Sequence, residues 1–297
     1  MALQSSFQGV LTALVTPMTT DGSVDFDAFA ALTRRQVDGG VHGLVPCGTT
    51  GEAPTLDKSE QDRLIRITVE QAAGKVPVMG GIGSNDTRKA IDSAKRAQDA
   101  GVTGVLATAP YYNKPNQEGL YRHFMAIAEA VDVEVCIYDI PGRSVIKVEP
   151  VTLARLAEHP RITCVKDATG DLVNAVDNRR LCGPDFSLLS GDDFTLVPFW
   201  AVGGHGAVSV LSNVCPERVV GLYDSVMAGD YATARPEFER LFPLIRALFA
   251  EPNPTPAKAA LAHLGLCGDS VRLPLIPASS AAREAVVAAM ETAGLVA

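Results

Sequence analysis

The sequence has no excess of basic residues and no long hydrophobic run. Its 297 residues include 26 Lys and Arg against 34 Asp and Glu, which gives a formal net charge of −8 at pH 7. A nucleic-acid-binding surface needs a basic stripe to neutralise phosphates, so this class of partner is not expected. No apolar segment approaches the ~20 residues that span a membrane, and residues 1–7 lack the basic start of a secretory signal. We therefore expect a cytoplasmic protein with no membrane partner.

Clusters of metal-ligating residues are also missing. The 6 cysteines are scattered along the chain, and several lie within apolar runs, where cysteine behaves as a small hydrophobic residue. The 5 histidines show no ligand spacing, such as two histidines four residues apart on a helix. We therefore expect neither a metal site nor a disulfide framework.

The sequence does contain eight short apolar runs that alternate with segments of helical spacing. This alternation predicts a parallel sheet, and eight such units close most naturally into a (β/α)8 barrel. A doubly wound open sheet is the alternative. Strands are predicted at 9–16, 43–46, 76–79, 104–107, 135–138, 162–166, 186–189 and 206–210, and helices between them at 25–37, 57–73, 86–100, 117–130, 151–158 and 172–181.

After about Tyr223 the strand pattern stops and only helical segments follow, at 232–250, 256–264 and 280–293. The sequence Glu251-Pro252-Asn253-Pro254 marks a break between the first two of these helices. We predict an α/β fold in which a TIM barrel (1–222) carries a C-terminal helical region (223–297) packed on it as an appendage.

One lysine, Lys166, ends an apolar strand, whereas the other lysines lie in polar helical or loop sequence. A period of two places Ile162, Cys164 and Lys166 on one face of the strand, and turn residues follow immediately. Desolvation at such a position disfavours the ammonium, which makes the free amine needed for imine formation accessible. The alternative is a lysine that extends to the surface and pairs with Asp167.

Other candidate residues follow neighbouring strands, because active groups gather at the carboxyl ends of barrel strands. The segment Gly48–Glu52 offers two hydroxyls and free backbone amides, which suit a carboxylate or phosphate or merely cap the next helix. Tyr138 is predicted on the strand next to that of Lys166, and because neighbouring strands are only ~4.8 Å apart it could exchange protons with an imine. Arg143 offers a planar fork for a carboxylate. The alternatives are a buried structural tyrosine and a loop arginine in a surface ion pair.

Short motifs along the whole chain carry a family resemblance. With these motifs in this order, the chain resembles the dihydrodipicolinate synthase family, within the pyruvate-dependent aldolase superfamily that includes N-acetylneuraminate lyase. The motifs are LVTP at 14–17, GTTGE at 48–52, PYYN at 110–113, YDIPGR at 138–143, KDATG at 166–170, LSGDD at 189–193 and EPNP at 251–254.

The resemblance implies a reaction and a set of catalytic residues. Lys166 would form an imine with pyruvate, and the enamine derived from it would attack the aldehyde of aspartate semialdehyde. Tyr138 would relay protons, with Thr49 linking it to Tyr112. In the family this second tyrosine reaches the site from a neighbouring subunit, which would make oligomerisation a condition of activity.

The resemblance also implies how the substrates bind. Thr50 and backbone amides of its turn would hold the pyruvate carboxylate, and Arg143 the carboxylate of the semialdehyde, with Gly191 and Val208 in the substrate-binding site. The family is typically tetrameric, as a dimer of dimers, with Tyr111 stacking across the tight dimer contact. Neither a metal nor a nicotinamide cofactor is implied.

Two features depart from the family pattern. Asp139 stands where the family often has asparagine. Lys58, Gln61 and Lys89 stand where members inhibited by L-lysine use acidic and histidine side chains. A cationic effector would meet two cations there, so we expect weak or absent inhibition by L-lysine.

Two rival functions remain open at this point. A sibling aldolase or lyase would use the same imine with another substrate, such as a sialic acid or a keto-deoxy sugar acid. Arg143 argues against this rival, because a second carboxylate-binding group suits a small dicarboxylate product. A catalytically silent barrel would sense pyruvate-like ligands and signal through its helical tail. The lysine, tyrosine and paired threonines argue against this second rival.

Overall fold

The computed structural model describes residues 5–296, and within that range eight parallel strands alternate with helices. The predicted (β/α)8 barrel is confirmed. The strands are β1 (Gly9–Ala13), β2 (Gly43–Val45), β3 (Met79–Gly81), β4 (Gly104–Thr108), β5 (Glu134–Asp139), β6 (Ile162–Asp167), β7 (Ser187–Ser190) and β8 (Gly206–Ser209).

The sheet closes on itself. Strands pair in the order β2-β1-β8-β7-β6-β5-β4-β3, and a parallel bridge between Leu44 and Val78 joins the two ends of this series. A closed barrel leaves no free sheet edge, so the alternative of a doubly wound open sheet is wrong.

The helices between the strands begin close to the predicted positions, because polar side chains cap their first turns. At the second helix, Asp57 accepts from the backbone of Glu60 and the Glu60 side chain accepts from Asp57 N, a reciprocal capping box. The barrel helices are α1 (Phe26–Asp38), α2 (Lys58–Ala72), α3 (Thr87–Asp99), α4 (Gln117–Glu129), α5 (Pro141–Ser144), α6 (Pro150–Ala157), α7 (Leu172–Cys182), α8 (Leu196–Ala201) and α9 (Pro216–Met227).

Three further helices, α10 (Tyr231–Leu248), α11 (Thr255–His263) and α12 (Ser280–Thr292), follow the barrel as predicted. The predicted boundary between residues 222 and 223 lies inside α9, and the division into two regions stays a prediction. Among residues 5–296, no helix combines the length and apolar character needed to cross a membrane.

Two hydrophobic layers position the site. The larger layer lies between the sheet and the surrounding helices. The smaller one fills the barrel and contains Cys136 and Tyr138, which confirms that they share the inner face of β5. The inner layer consists of Phe7, Leu11, Ala13, Val45, Met79, Leu106, Cys136, Tyr138, Cys164, Leu189 and Val208.

The predicted alternation along β6 is wrong at its first residue. Ile162 lies in the outer layer, whereas Cys164 lies in the inner one. The β5–β6 register shifts here, because Val135 pairs with Ile162 but the next residue pairs with Cys164, so Thr163 is an extra residue. Such a bulge reverses the alternation of faces on its two sides.

The third strand was predicted at 76–79 but lies at Met79–Gly81. Gly80 and Gly81 carry no side chain, so the strand shows no apolar alternation in the sequence. A Cβ atom on Gly81 would lie 2.1 Å from the carbonyl oxygen of Cys47, so only glycine allows the loop after β2 to approach this closely.

Candidate active site

Lys166 lies near the carboxyl end of β6, directly beside Tyr138 of β5 in the sheet register. Its Nζ atom is 4.1 Å from the centroid of the Tyr138 ring, and its side chain is only 6% exposed. The alternative of a lysine that extends to the surface and pairs with Asp167 is therefore wrong. Asp167 instead accepts hydrogen bonds from Thr169 and Asn174.

Close packing holds the Lys166 side chain in place. A Cβ atom on Gly191 would lie 3.0 Å from both Cγ and Cε of Lys166 and 2.8 Å from Cβ of Ala168, so the backbone after β7 presses on the lysine stem. Deeper in the barrel lie the fully buried Cys136 and Cys164. Burial, with the neighbouring Cys164 thiol, raises the pKa of Cys136 well above its usual range. The Lys166 amine and these two thiols are therefore the candidate nucleophiles near this end of the barrel interior, and the buried Cys136 thiol is hard to ionise.

A cavity of about 270 Å³ opens beside the Tyr138 ring at the carboxyl ends of the strands. The predicted residues Thr49, Arg143 and Tyr111 line the same cavity. Tyr138 therefore contacts both the Lys166 Nζ atom and the space available to a ligand. The small volume suits a ligand of a few carbon atoms.

The segment that follows β2, which we call the threonine turn (Gly48–Gly51), supplies two hydroxyls. Thr49 faces the cavity, whereas Thr50 is 3% exposed and accepts a hydrogen bond from Nδ2 of Asn253 at 2.9 Å. The residues that flank the turn, Cys47 and Glu52, both have φ of 55°, in the left-handed region that non-glycine residues avoid. Their conformation costs roughly 1 kcal/mol or more each, so the surroundings must hold the turn in place.

One of these surrounding contacts is a buried ion pair. Lys258 of α11 is fully buried and donates to Oε1 of Glu52 at 2.5 Å and to the carbonyl of Ser270 at 2.6 Å. The backbone N–H of Arg272 donates to Oε2 of the same carboxylate at 3.0 Å. Burial lowers the pKa of Lys258, and the Glu52 charge offsets part of this effect. The prediction that every lysine except Lys166 lies in polar sequence is therefore wrong for Lys258.

Arg143 lies in the short helix α5, where its exposed side chain borders the cavity. It forms no ion pair with any side chain of residues 5–296. The alternative of a loop arginine held in a surface ion pair is thus not observed in this part of the chain. A guanidinium placed at a cavity without a carboxylate partner suits an anionic ligand.

The paired tyrosines after β4 behave differently from one another. Tyr111 is 39% exposed and lines the cavity, but Tyr112 is 88% exposed, has φ of 72° and lies outside it. Among the described residues, no hydrogen bond joins Tyr112 to Thr49. The role of Tyr112 in a neighbouring subunit stays a prediction.

The two remaining predicted residues, Val208 and Gly191, lie on or directly after strands of the barrel. Val208 of β8 lies in the inner layer and pairs with Leu11 of β1. Gly191 contacts the lysine stem but does not line the cavity. The barrel therefore brings Thr49, Tyr138 and Arg143 to one cavity, with Lys166 directly behind Tyr138.

Comparison with known proteins decides the family. The model of the dihydrodipicolinate synthetase family matches residues 6–293. The chain belongs to this family. A 4-hydroxy-tetrahydrodipicolinate synthase of Phenylobacterium zucineum is 48% identical to this chain over 290 residues, and the alignment covers 98% of each of the two proteins.

Solved structures agree with this assignment. A dihydrodipicolinate synthase of Thermotoga maritima has a TM-score of 0.96 and 38% identity, over 98% of this chain and 100% of the other. A dihydrodipicolinate synthase of Acinetobacter baumannii complexed with pyruvate has a TM-score of 0.95 and 38% identity, over 97% and 99% of the two chains.

Asp139, one of the departures from the family pattern, is buried on the outer side of β5. It is 2% exposed, accepts one hydrogen bond from the N–H of Val148 at 3.1 Å and pairs in register with Asp167. Burial raises the pKa of Asp139 to about 7; the Asp167 charge adds to this shift, and the Val148 hydrogen bond opposes it. This carboxyl therefore changes its charge near neutral pH.

The positions that match the L-lysine effector site of some family members lie on α2 and α3. Lys58 pairs with Asp92 at 2.9 Å, and Lys89 is exposed. The Gln61 amide donates to the carbonyls of Ala53 and Leu56, and Gln61 borders the cavity. Inhibition by L-lysine stays a prediction for this chain.

Sequence reasoning did not single out Asn253, Glu52 and Lys258, which contact the threonine turn or flank it. Asn253 and Glu52 were noted only as parts of motifs. The signal for Lys258 was its setting in the sequence Thr255-Pro256-Ala257-Lys258-Ala259-Ala260-Leu261, which is almost free of polar residues. A lysine surrounded by alanine and leucine is buried only when it has a partner, and here that partner is 206 residues away.

Proposed function

We propose that this protein is a 4-hydroxy-tetrahydrodipicolinate synthase, which condenses pyruvate with L-aspartate 4-semialdehyde in the biosynthesis of diaminopimelate and lysine. The observation that carries the proposal is Lys166, buried near the end of β6 beside Tyr138, which lines a cavity bordered by Arg143. Within residues 5–296 this arginine has no ion-pair partner. The names of the curated relatives and membership of the family support the same reaction.

Lys166 carries the covalent chemistry in this proposal. Its neutral amine attacks the C2 carbonyl of pyruvate, and loss of water gives an imine. Removal of a proton from C3 then forms an enamine, whose C3 carbon attacks the aldehyde carbon of the second substrate. The aldehyde oxygen takes up a proton as the new carbon–carbon bond forms. Tyr138, whose ring lies against the Lys166 Nζ atom, is the group that moves these protons.

The carboxylates of the two substrates bind to different groups. Thr50 and the backbone amides of the threonine turn hold the pyruvate carboxylate, and Arg143 holds the carboxylate of the semialdehyde. Gly191 and Val208 shape the space around the lysine. Arg143 favours the synthase over a lyase that takes a sialic acid or keto-deoxy sugar acid, because it provides a second carboxylate clamp.

The active assembly is a homo-oligomer, which we propose to be a tetramer built as a dimer of dimers in the cytoplasm. The exposure of Tyr112, at 88%, supports this proposal, because aromatic side chains are enriched at protein interfaces. Tyr112 then reaches Thr49 of a neighbouring subunit, and Tyr111 stacks across the tight contact. We also retain the division into a catalytic barrel, 1–222, and a C-terminal helical region, 223–297.

The test is an assay with pyruvate and aspartate semialdehyde, coupled to nicotinamide oxidation by the next reductase, together with borohydride trapping of pyruvate. We expect turnover at roughly 1 to 10³ per second. Lys166→Ala should abolish both turnover and trapping while the fold survives. Lys95→Ala, on the exposed face of α3, is the matched control and should leave both unchanged.

Each other outcome contradicts one part of the proposal. Normal turnover in Lys166→Ala would refute the imine mechanism. If borohydride traps pyruvate on the wild-type protein but no turnover with aspartate semialdehyde is seen, the protein would instead be a sibling aldolase with another acceptor. Failure of both would favour a barrel that only senses pyruvate-like ligands.

A further inference from the structure

Two side chains from the C-terminal helical region, 203 and 206 residues further along the sequence, form hydrogen bonds with the threonine turn and with Glu52 directly after it. Asn253 precedes α11 and bonds to the Thr50 hydroxyl, while Lys258 within α11 bonds to Glu52 at the end of the turn. On the barrel side, the Thr16 hydroxyl donates to the carbonyl of Gly51 at 2.8 Å. The turn is therefore held between the barrel and the C-terminal helices.

The contact with Lys258 constrains the backbone of the turn. Glu52 has φ of 55° and ψ of 33°, a conformation that a non-glycine residue keeps only when its surroundings impose it. Both carboxylate oxygens of Glu52 are bonded, Oε1 to Lys258 and Oε2 to the Arg272 N–H, so the side chain has no freedom to rotate. Because the pair is buried, loss of one partner leaves an uncompensated charge in the interior.

The contact with Asn253 determines what the Thr50 hydroxyl can do. A hydroxyl has one proton to donate and two lone pairs that accept. The Asn253 amide N–H fills one lone pair, so the Thr50 proton remains available for a ligand oxygen. A group that only accepts at position 253 would instead bind this proton itself. Asn253 is 8% exposed, and its Oδ1 atom has no hydrogen-bond partner among the described residues, so its bond to Thr50 is the one hydrogen bond of this amide in that part of the chain.

We propose that Asn253, Glu52 and Lys258 are positioning residues for pyruvate: the ion pair fixes the threonine turn, and the Asn253 amide directs the Thr50 hydroxyl proton towards the pyruvate carboxylate. The inference rests on the proposed function and deepens it. It assigns to the C-terminal helical region a part in binding one of the two substrates.

The decisive variant is Asn253→Asp, which keeps the shape of the side chain but can only accept from Thr50 when ionised. We expect the KM for pyruvate to rise roughly 10- to 100-fold, because a hydrogen bond to a charged carboxylate is lost and a negative charge is added nearby. The KM for aspartate semialdehyde should change less than about twofold, since Arg143 binds it elsewhere. Asn253→Ala removes the donor to Thr50 without introducing a competing acceptor, so it should raise the KM for pyruvate less than Asn253→Asp does.

The matched control is Asn116→Asp, which makes the same chemical change at the exposed N-cap of α4, where aspartate caps equally well. The paired variant Glu52→Gln with Lys258→Met tests the ion pair without leaving a single buried charge. We expect it to fold, by circular dichroism and thermal melting, and to raise the KM for pyruvate while the KM for the semialdehyde stays constant.

An unchanged KM for pyruvate in Asn253→Asp would overturn the inference. So would a parallel loss of affinity for both substrates together with a lower melting temperature, because that pattern indicates a structural role only. Absence of borohydride trapping in the wild-type protein would overturn the proposed function and this inference with it. Trapping in the wild type with no change in the variants would overturn the inference alone.

Discussion

Replacement of Asp139 by asparagine should make the protein more stable, and increasingly so as the pH rises. Asp139 is buried at the end of β5, and its one hydrogen bond in residues 5–296 comes from the Val148 N–H at 3.1 Å. Asparagine keeps an oxygen that accepts this bond but carries no charge. Because burial is the main cause that raises the Asp139 pKa to about 7, the variant removes the penalty of ionising a desolvated carboxyl.

The magnitude follows from the two pKa values. The carboxyl ionises near 3.8 in the unfolded chain and at about 7 in the folded protein. Between these pH values the folded state binds one proton more, so the free energy of unfolding falls by about 1.4 kcal/mol per pH unit as the pH rises. From pH 5 to pH 8 the variant should gain about 3 kcal/mol over the wild type, or on the order of 5 °C in melting temperature. The gain should level off above pH 7.

The assay is thermal unfolding of both proteins in matched buffers from pH 5 to pH 8.5, followed by circular dichroism. Asp38→Asn, at the exposed end of α1, is the matched control and should differ from the wild type by the same small amount at every pH. A constant difference between Asp139→Asn and the wild type across this range would refute the reasoning, because it would mean that the buried carboxyl does not titrate near neutrality.

Two further predictions concern the lysine and the effector site. Gly191→Ala places a Cβ atom 3.0 Å from Cγ and Cε of Lys166, so we expect kcat to fall roughly 10- to 100-fold. The control is Gly221→Ala, which should leave kcat unchanged because its Cβ atom meets open space. Unchanged kcat in Gly191→Ala would show that the lysine does not need this space. L-lysine should inhibit weakly or not at all, because Lys58 and Lys89 place positive charge where a cation would bind. An inhibition constant in the sub-millimolar range would contradict this expectation.

The barrel could be predicted from the sequence because its signals are local. Helix starts are marked by capping side chains, as at Asp57 and Asp86, which lie at the predicted starts and precede α2 and α3 directly. The apolar runs mark most strands because parallel strands buried on both faces need nearly continuous hydrophobic sequence. Lys166 stood out for the same reason, as a charged residue at the end of such a run.

Two strand predictions failed for reasons that local patterns do not record. The position of β3 was missed because Gly80 and Gly81 contribute no side chain to the pattern. The sheet face on which Ile162 lies was predicted wrongly, because the bulge at Thr163 depends on the pairing of β6 with β5. Both errors come from contacts between neighbouring strands, which the sequence of either strand alone does not contain.

The parts of the site that sequence reasoning missed depend on distant contacts. Nothing near Glu52 in sequence indicates that its partner is Lys258, and nothing near Thr50 indicates Asn253. Tyr112 is a different case, since within one described chain it lies in solvent. Its predicted role depends on a second subunit.

The ion pair between Glu52 and Lys258 also affects when the threonine turn becomes ordered during synthesis of the chain. Ribosomes add roughly 5 to 20 residues per second, so the 206 residues between these partners take about 10 to 40 seconds to synthesise. During this interval the Glu52 carboxylate has no buried cation to meet, and the nearby backbone lacks its main restraint. We expect a nascent chain that has completed all eight strands to bind pyruvate more weakly than the finished protein until α11 emerges. The order of synthesis thus delays full affinity for pyruvate to the last part of translation.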